Sequence, residues 1–295
     1  MADFHADSLP PELLTTGISL KLQHYPEVIS PEVLTAEPAG LWFEAHTENF
    51  CAIGGARLAA LQQVAERYPI SLHGVGASLA GPESLNPQHL QWVRALVRQV
   101  KPALISEHAV WSVFDQAYFA DLLPMPRSEL ALQQLSSKVQ QYQDSVARPI
   151  LLENPTHYLR LKHQMPEPAF MTELCRRTGC GLLLDITNLY LSQNNCAEDA
   201  RHYLDQIPAH LVGELHIAGY SADPIEGESL LIDSHDQPPN QGILQLLDYA
   251  LQRFGARPVL LEWDDQIPAL PELLRQRARV AKVLQPYQEV VHATK

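Results

Sequence analysis

A succession of apolar runs in this chain stops at a residue able to bind a metal or move a proton. Phe43-Glu44-Ala45-His46, Ser71-Leu72-His73, Ser106-Glu107-His108, Leu151-Leu152-Glu153, Leu183-Leu184-Asp185, Leu215-His216 and Leu260-Leu261-Glu262 all lead into an imidazole or a carboxylate. The polar stretch Asp233-Ser234-His235-Asp236 adds Asp233 and His235. A charge at the end of a buried strand is costly unless something pairs with it. Several acids sharing one site repel each other and push up each other's pKa. Divalent cations resolve that conflict, because they neutralise carboxylates and accept imidazole nitrogen as well. One ion takes about three to five protein ligands, so the set suffices for roughly two or three ions. Imidazole and carboxylate without thiolate suit iron, manganese or zinc.

Each residue taken singly has a plainer reading. A lone strand histidine is commonly a satisfied structural group. Glu44 and Glu107 precede nearby histidines and can orient them as acceptors. Asp185 and Asn188 can cap a turn. Asp233 and His235 can be solvated loop residues. What favours a shared metal site is the recurrence of polar ends on successive strands.

The elements that must position these groups alternate in type. Pro149-Ile150-Leu151-Leu152-Glu153-Asn154-Pro155 shows the pattern: an aliphatic run suited to a strand buried on both faces, then a carboxylate, an amide and a proline that ends the ladder. Strands are expected at 17–20, 40–46, 70–75, 103–108, 149–153, 181–185, 211–216 and 258–263. Helices are expected at 56–68, 87–100 with Asn86 as cap, 128–147, 168–178, 197–206, 243–254 and 270–284, with a shorter one begun by Ser30-Pro31-Glu32. The connections 109–127 and 220–241 are read as long loops, and loops of that length are often functional. Strands alternating with helices indicate a parallel sheet. Eight repeats point to one α/β domain, a (β/α)8 TIM barrel over 1–295 with a flexible arm at 1–16, whose active site lies at the C-terminal ends of the strands. An open doubly wound sheet is the alternative, but no GxGxxG turn follows the first strand. His5, His24, His89, His157, His163, His202, His210 and His292 lie off the strand ends and are read as surface or local residues. Asp264-Asp265 is read as solvated, and Trp42, Trp111 and Trp263 as core.

Bulk properties narrow the classes. The 295 residues are 46% hydrophobic and 19% charged, an ordinary globular composition. A net charge of −13 and a pI near 5.4 argue against a nucleic-acid partner held by a broad basic face. No run reaches the roughly 20 apolar residues of a membrane span, so no membrane partner is expected. Met1 to Pro11 has no export-signal pattern. Cys51, Cys175, Cys180 and Cys196 form no CxxC pair, so reduced thiols and a cytoplasmic protein are expected.

The motifs Phe43-Glu44-Ala45-His46-Thr47-Glu48-Asn49-Phe50, His73-Gly74-Val75-Gly76, Ser106-Glu107-His108, Leu152-Glu153-Asn154-Pro155, Leu184-Asp185-Ile186-Thr187-Asn188, His216-Ile217-Ala218-Gly219, Asp233-Ser234-His235-Asp236 and Leu261-Glu262-Trp263-Asp264, in that order, resemble those of the multinuclear non-heme iron-dependent oxidative enzymes. That family includes the methanobactin and 3-thiaglutamate biosynthetic oxidases, and the resemblance runs from about Gly17 to Trp263. It implies a xylose-isomerase-like barrel, two to three irons, and O2 as co-substrate. The substrate it implies is a short Cys-containing precursor peptide, presented by a partner protein. Carried over by position, His46 and His73 would bind one iron, with Glu153 bridging to a second that Asp185, His216 and Glu262 complete. Asp233 and His235, with Asn188, would hold a third. Glu44, Asn49, Glu107, His108 and Asn154 would support these ligands or touch substrate. Some members have His where this chain has Asn188, and an amide is a poorer ligand for a transition metal.

Alternative classes are a metal-dependent hydrolase such as a phosphodiesterase, a sugar isomerase on the same barrel, or a non-catalytic binder. An isomerase would normally use a lysine or acid beside the metals, and no lysine is expected at the strand ends.

Overall fold

The structure is a computed structural model and describes residues 14–30, 40–51, 54–115 and 117–293. Its centre is a closed barrel of parallel strands in sequential order. We number them β1 (Thr16–Ser19), β2 (Phe43–His46), β3 (Ile70–Gly74), β4 (Leu104–His108), β5 (Leu151–Glu153), β6 (Gly181–Asp185), β7 (Val212–Ile217) and β8 (Val259–Leu261). The helices are α1 (Tyr25–Ile29), α2 (Ala56–Ala65), α3 (Pro87–Val100), α4 (Glu129–Val146), α5 (Glu167–Thr178), α6 (Ile186–Cys196), α7 (Ala200–Gln206), α8 (Gln241–Phe254) and α9 (Leu270–Ala293). The expected TIM barrel is therefore the observed one. Most of the expected helix starts hold as well: the Asn86 side chain accepts from the Gln88 and His89 amides, and Ser128 accepts from Ala131.

Period-two alternation divides the strands cleanly. Phe43, Ala45, Leu72, Ile105, Leu152, Leu184, Leu215, Ile217 and Leu261 join the core beneath the helices. Leu14, Trp42, Leu104, Leu151, Leu183 and Leu260 form a separate apolar cluster that floors the barrel. Trp42 is thus a floor residue. A Cβ at Gly17 would overlap its indole, so glycine is required there. Above the floor the inward positions turn polar. The Cα register sets His46 beside His73, His73 beside Ser106, His108 beside Glu153, and Asp185 beside His216.

Several expectations are corrected. The two long connections are not irregular. Each holds a two-stranded antiparallel hairpin, Trp111–Phe114 with Ala117–Leu123 after β4, and Ser221–Asp223 with Gly227–Ile232 after β7. Helix α6 starts directly at the end of β6, where a loop was expected, and α7 begins at Ala200 rather than 197. Thr16 belongs to β1 and not to an arm; residues 1–13 and the helix expected at Pro31 lie outside the described residues. A register shift opposite Leu182/Leu183 pairs Leu182 with Val212 and Leu183 with Glu214, leaving Gly213 as an extra residue. The bulge changes the parity of β7, so Val212 faces the helices while Glu214 and His216 face inward.

Candidate metal centre

The expected strand-end residues converge on the barrel mouth. Among the described residues, four groups there each have ligand atoms all within 4.8 Å of one another, and three of them are linked through shared members: Glu44, His216 and Glu262; Glu153, Asp185 and His216; and Asp185, His235 and Glu262. The fourth, His73, His108 and Glu153, meets the second at Glu153.

His108 decides how the group with His73 and Glu153 works. Its Nδ1 lies 3.0 Å from the Gly74 carbonyl oxygen, which can only accept, so Nδ1 carries the proton and Nε2 presents a lone pair. That Nε2 lies 3.2 Å from Glu153 Oε2, and His73 Nε2 is also 3.2 Å from the same oxygen. Burial lowers the pKa of His108 to about 4 and lowers that of His73, with the neighbouring histidine charges acting in the same direction. A neutral imidazole facing a carboxylate oxygen is repulsive unless a proton or a cation lies between them. Burial likewise raises the pKa of Glu153, although His216 pulls it back.

His216 sits between carboxylates. Nδ1 is 3.2 Å from Glu262 Oε1, and Nε2 is 3.3 Å from Glu44 Oε2 and 3.4 Å from Glu214 Oε1. Despite the cost of burial, Glu262 and Glu44 raise the pKa of its imidazole. Despite the same cost, His216 and His235 hold Glu262 down at about 2. Burial brings Glu44 to about 7 against the pull of His216, and raises Asp185 and Glu214. At the rim, His235 Nε2 is 2.8 Å from Asp233 Oδ1, and Nδ1 is 3.0 Å from Asp264 Oδ2.

The donor set fits metal ions on its unmet bonding. Both oxygens of Glu44 and of Glu214, Oε2 of Glu153 and of Glu262, Oδ2 of Asp185 and both nitrogens of His216 are buried without a hydrogen-bond partner. Buried polar atoms are nearly always satisfied in a folded protein, so this concentration marks a missing electrophile.

Supporting residues hold the donors in place. Asp185 caps α6, as its plainer reading expected: Oδ1 accepts from the Asn188 amide at 2.7 Å, while Oδ2 is buried without a hydrogen bond. Asn188 uses its side chain as a hydrogen-bonding hub. Its Nδ2 donates to Asn154 O at 2.9 Å and Glu153 Oε1 at 3.3 Å, while its oxygen accepts from Thr156. Asn154 clamps the Asp185 backbone from both sides, at 3.0 and 3.1 Å.

The other expected residues are placed as follows. His46 is at the rim, its ring centroid 6.1 Å from that of His73, whereas His108 is at 4.5 Å. Glu107 faces away from the centre. Its Oε1 accepts from the Ala77 amide, and a Cβ at Gly74 would overlap Oε2. Asn49 is exposed beside His46.

Some participants were missed. Glu214 lies two residues before His216 on the same strand face, and period two was the signal for it. Asp264, expected to be solvated, is exposed and also pairs with His235 and Lys21. Lys21 stands just past β1, so the mouth does include a lysine. His157, read as a surface or local residue, is buried against Glu167, which also takes Arg127 at 2.8 Å.

Comparisons with known proteins agree with the fold and identify the family. Solved xylose-isomerase-like barrels share the fold at low identity. IolI protein with a bound zinc atom matches with a TM-score of 0.59 and 14% identity, over 93% of this chain and 99% of that one. Endonuclease IV from Thermus thermophilus matches at 0.54 and 15%, over 93% and 99%. Close relatives carry the name UPF0276 protein. One from Caulobacter vibrioides is 44% identical over 92% of this chain and 95% of its own length, and one from Vibrio vulnificus is 39% identical over 91% of each. Residues 15–285 match the family described as RiPP precursor modification enzyme MbnB/TglH/ChrH, and the chain belongs to that family.

Proposed function

We propose that this protein is a multinuclear iron-dependent oxidase that modifies cysteine residues of a ribosomally made peptide, with O2 as co-substrate. The observation that carries the reading is Glu153, which lies 3.2 Å from two imidazole Nε2 atoms and also belongs, with Asp185 and His216, to a second group whose ligand atoms lie within 4.8 Å of one another. A carboxylate shared in that way suits a site of more than one ion.

In this reading His46, His73, His108 and Glu153 hold one iron. Glu153, Asp185, His216 and Glu262 hold a second. Asp233 and His235 hold a third, with Asn188 fixing Glu153 rather than supplying a strong ligand. Iron there would supply an open position for a cysteine thiolate and a neighbouring one for O2. The protein's own part is placement. The Asn188 amide holds the Glu153 carboxylate, Asn154 clamps the Asp185 backbone, and the Gly74 carbonyl fixes the His108 tautomer. Holding the peptide thiol beside the oxidant is a proximity effect. A partner protein would present the peptide, and the whole chain would act as one barrel unit in the cytoplasm. Among the described residues, no helix is long and apolar enough to cross a membrane.

The test is elemental analysis with Mössbauer spectroscopy on protein purified without oxygen. Two to three exchange-coupled irons per chain are expected. Zinc or manganese that iron cannot displace would instead favour the hydrolase or isomerase reading, for which Lys21 offers a basic group at the mouth.

A further inference from the structure

A cavity of about 500 Å³ opens beside the donor cluster, with His46 and Asp264 on its edge. Tyr25 and Phe50 give it apolar walls, together with Leu22, which is 54% exposed. Asn49 and Arg57 also line it, and both are exposed. Among the described residues neither side chain makes a hydrogen bond or an ion pair. Lys21, the other cation in the lining, is taken by Asp264.

Arg57 has no evident structural purpose. It stands in the first turn of α2, where a cation opposes the helix dipole. In a chain of net charge −13, an uncommitted guanidinium beside the reacting centre is a selective feature. Its planar fork matches a carboxylate in two hydrogen bonds. The volume falls within the range of about 300–1,000 Å³ that takes small ligands.

We propose that this cavity is a subsite for the peptide residues next to the reacting one, with an apolar side chain against Tyr25 and Phe50 and a carboxylate on Arg57. The inference rests on the peptide-modifying reading above. The carboxylate can come from an acidic side chain or from a peptide C-terminus; the chemistry on Arg57 is the same.

The test uses three probes on the full chain, by calorimetry without oxygen: N-acetyl-Cys-Phe-Glu-amide, N-acetyl-Cys-Phe-Gln-amide, and N-acetyl-Cys-Phe-Gln with a free C-terminus. At least one acidic peptide should bind about tenfold more tightly than the neutral one, and which one does so identifies the source of the carboxylate. Arg57→Gln should abolish the difference without moving the melting temperature, and Arg57→Lys should restore part of it. Equal binding of all three, no detectable binding of either acidic peptide, or a preference that survives Arg57→Gln would overturn the subsite. Binding is read without turnover, so the two readings fail separately. Zinc in place of iron would leave the peptide preference intact, while cysteine oxidation indifferent to Arg57→Gln would remove only the subsite.

Discussion

Two buried groups in this protein use the same residue types at the same spacing. His157, Glu167 and Glu198 have ligand atoms as close together as those of the barrel mouth. They differ in how the charge is met. Arg127 donates to Glu167 at 2.8 Å, and His157 contacts the same oxygen. Despite burial, His157 and Arg127 lower the pKa of Glu167, and Glu167 raises that of His157. In that group an arginine from the chain itself meets the buried Glu167 carboxylate. At the mouth, by contrast, no arginine among the described residues bonds the deep carboxylates, and several of their oxygens are buried without a hydrogen bond although His216 lies 3.2–3.4 Å from three of these carboxylates. Spacing alone does not separate a metal site from a structural cluster; the presence of an internal cation does.

The contrast can be broken by substitution. Glu153→Gln should cost the most, lowering metal affinity by more than about 100-fold, since even residues behind ligands cost about 10- to 100-fold. Elemental analysis of the purified variant measures it, and an unchanged metal content would remove the distinction drawn here. Glu167→Gln should do the opposite. Metal content stays constant while stability falls by about 3–5 kcal/mol, because Arg127 is left buried without its partner. Denaturant unfolding of the metal-loaded protein reads that loss, and a drop in metal would show that this network binds ions too.

Glu214→Gln is a finer probe. It should weaken metal binding by about 10- to 100-fold through loss of an acceptor behind His216. In the metal-free protein it should raise the melting temperature, because a fully buried carboxylate without a partner is removed. A fall in the metal-free melting temperature would show that Glu214 is already satisfied.

The smallest expected effect is one of pH. Burial raises Glu44, Glu153 and Asp185, and the surrounding acids raise His216 against the cost of burial. Each shift favours the protonated form, whose proton a metal must displace. His108, lowered to about 4, is already neutral and releases none above about pH 5. Metal affinity should therefore rise with pH between about 5 and 8, with proton release visible as a dependence of binding heat on the buffer. Affinity that falls or stays flat over that window would contradict these assignments.

Much of this centre was legible in the chain because two simple rules coincide. Parallel strands buried on both faces need aliphatic runs, and a barrel presents its strand ends at one mouth. His73, Glu153, Asp185, His216 and Glu262 each follow from those rules. Glu214 did not, because attention to strand ends passes over a carboxylate one pleat deeper, and the Gly213 bulge changes which residues face in. Asp264 did not, because Asp264-Asp265 has the composition of a solvated turn. Helix α6 was hidden because buried polar residues such as Thr187, Asn188 and Ser192 blur its apolar stripe. The rim hairpins were hidden because most of their residues are half-buried or exposed, which leaves no clear apolar alternation.

Local pattern was enough to establish the alternating elements, the barrel and the kind of donor at each strand end, since those depend on side-chain period and polarity. Whether Glu107 or His108 faces the centre, which imidazole accompanies His73, and which of two histidine–carboxylate clusters lacks a cation were decided only in three dimensions. Those outcomes depend on register between strands and on the arrival of Gly74, Arg127 and Asn188 from distant segments, and no local window of sequence contains that information.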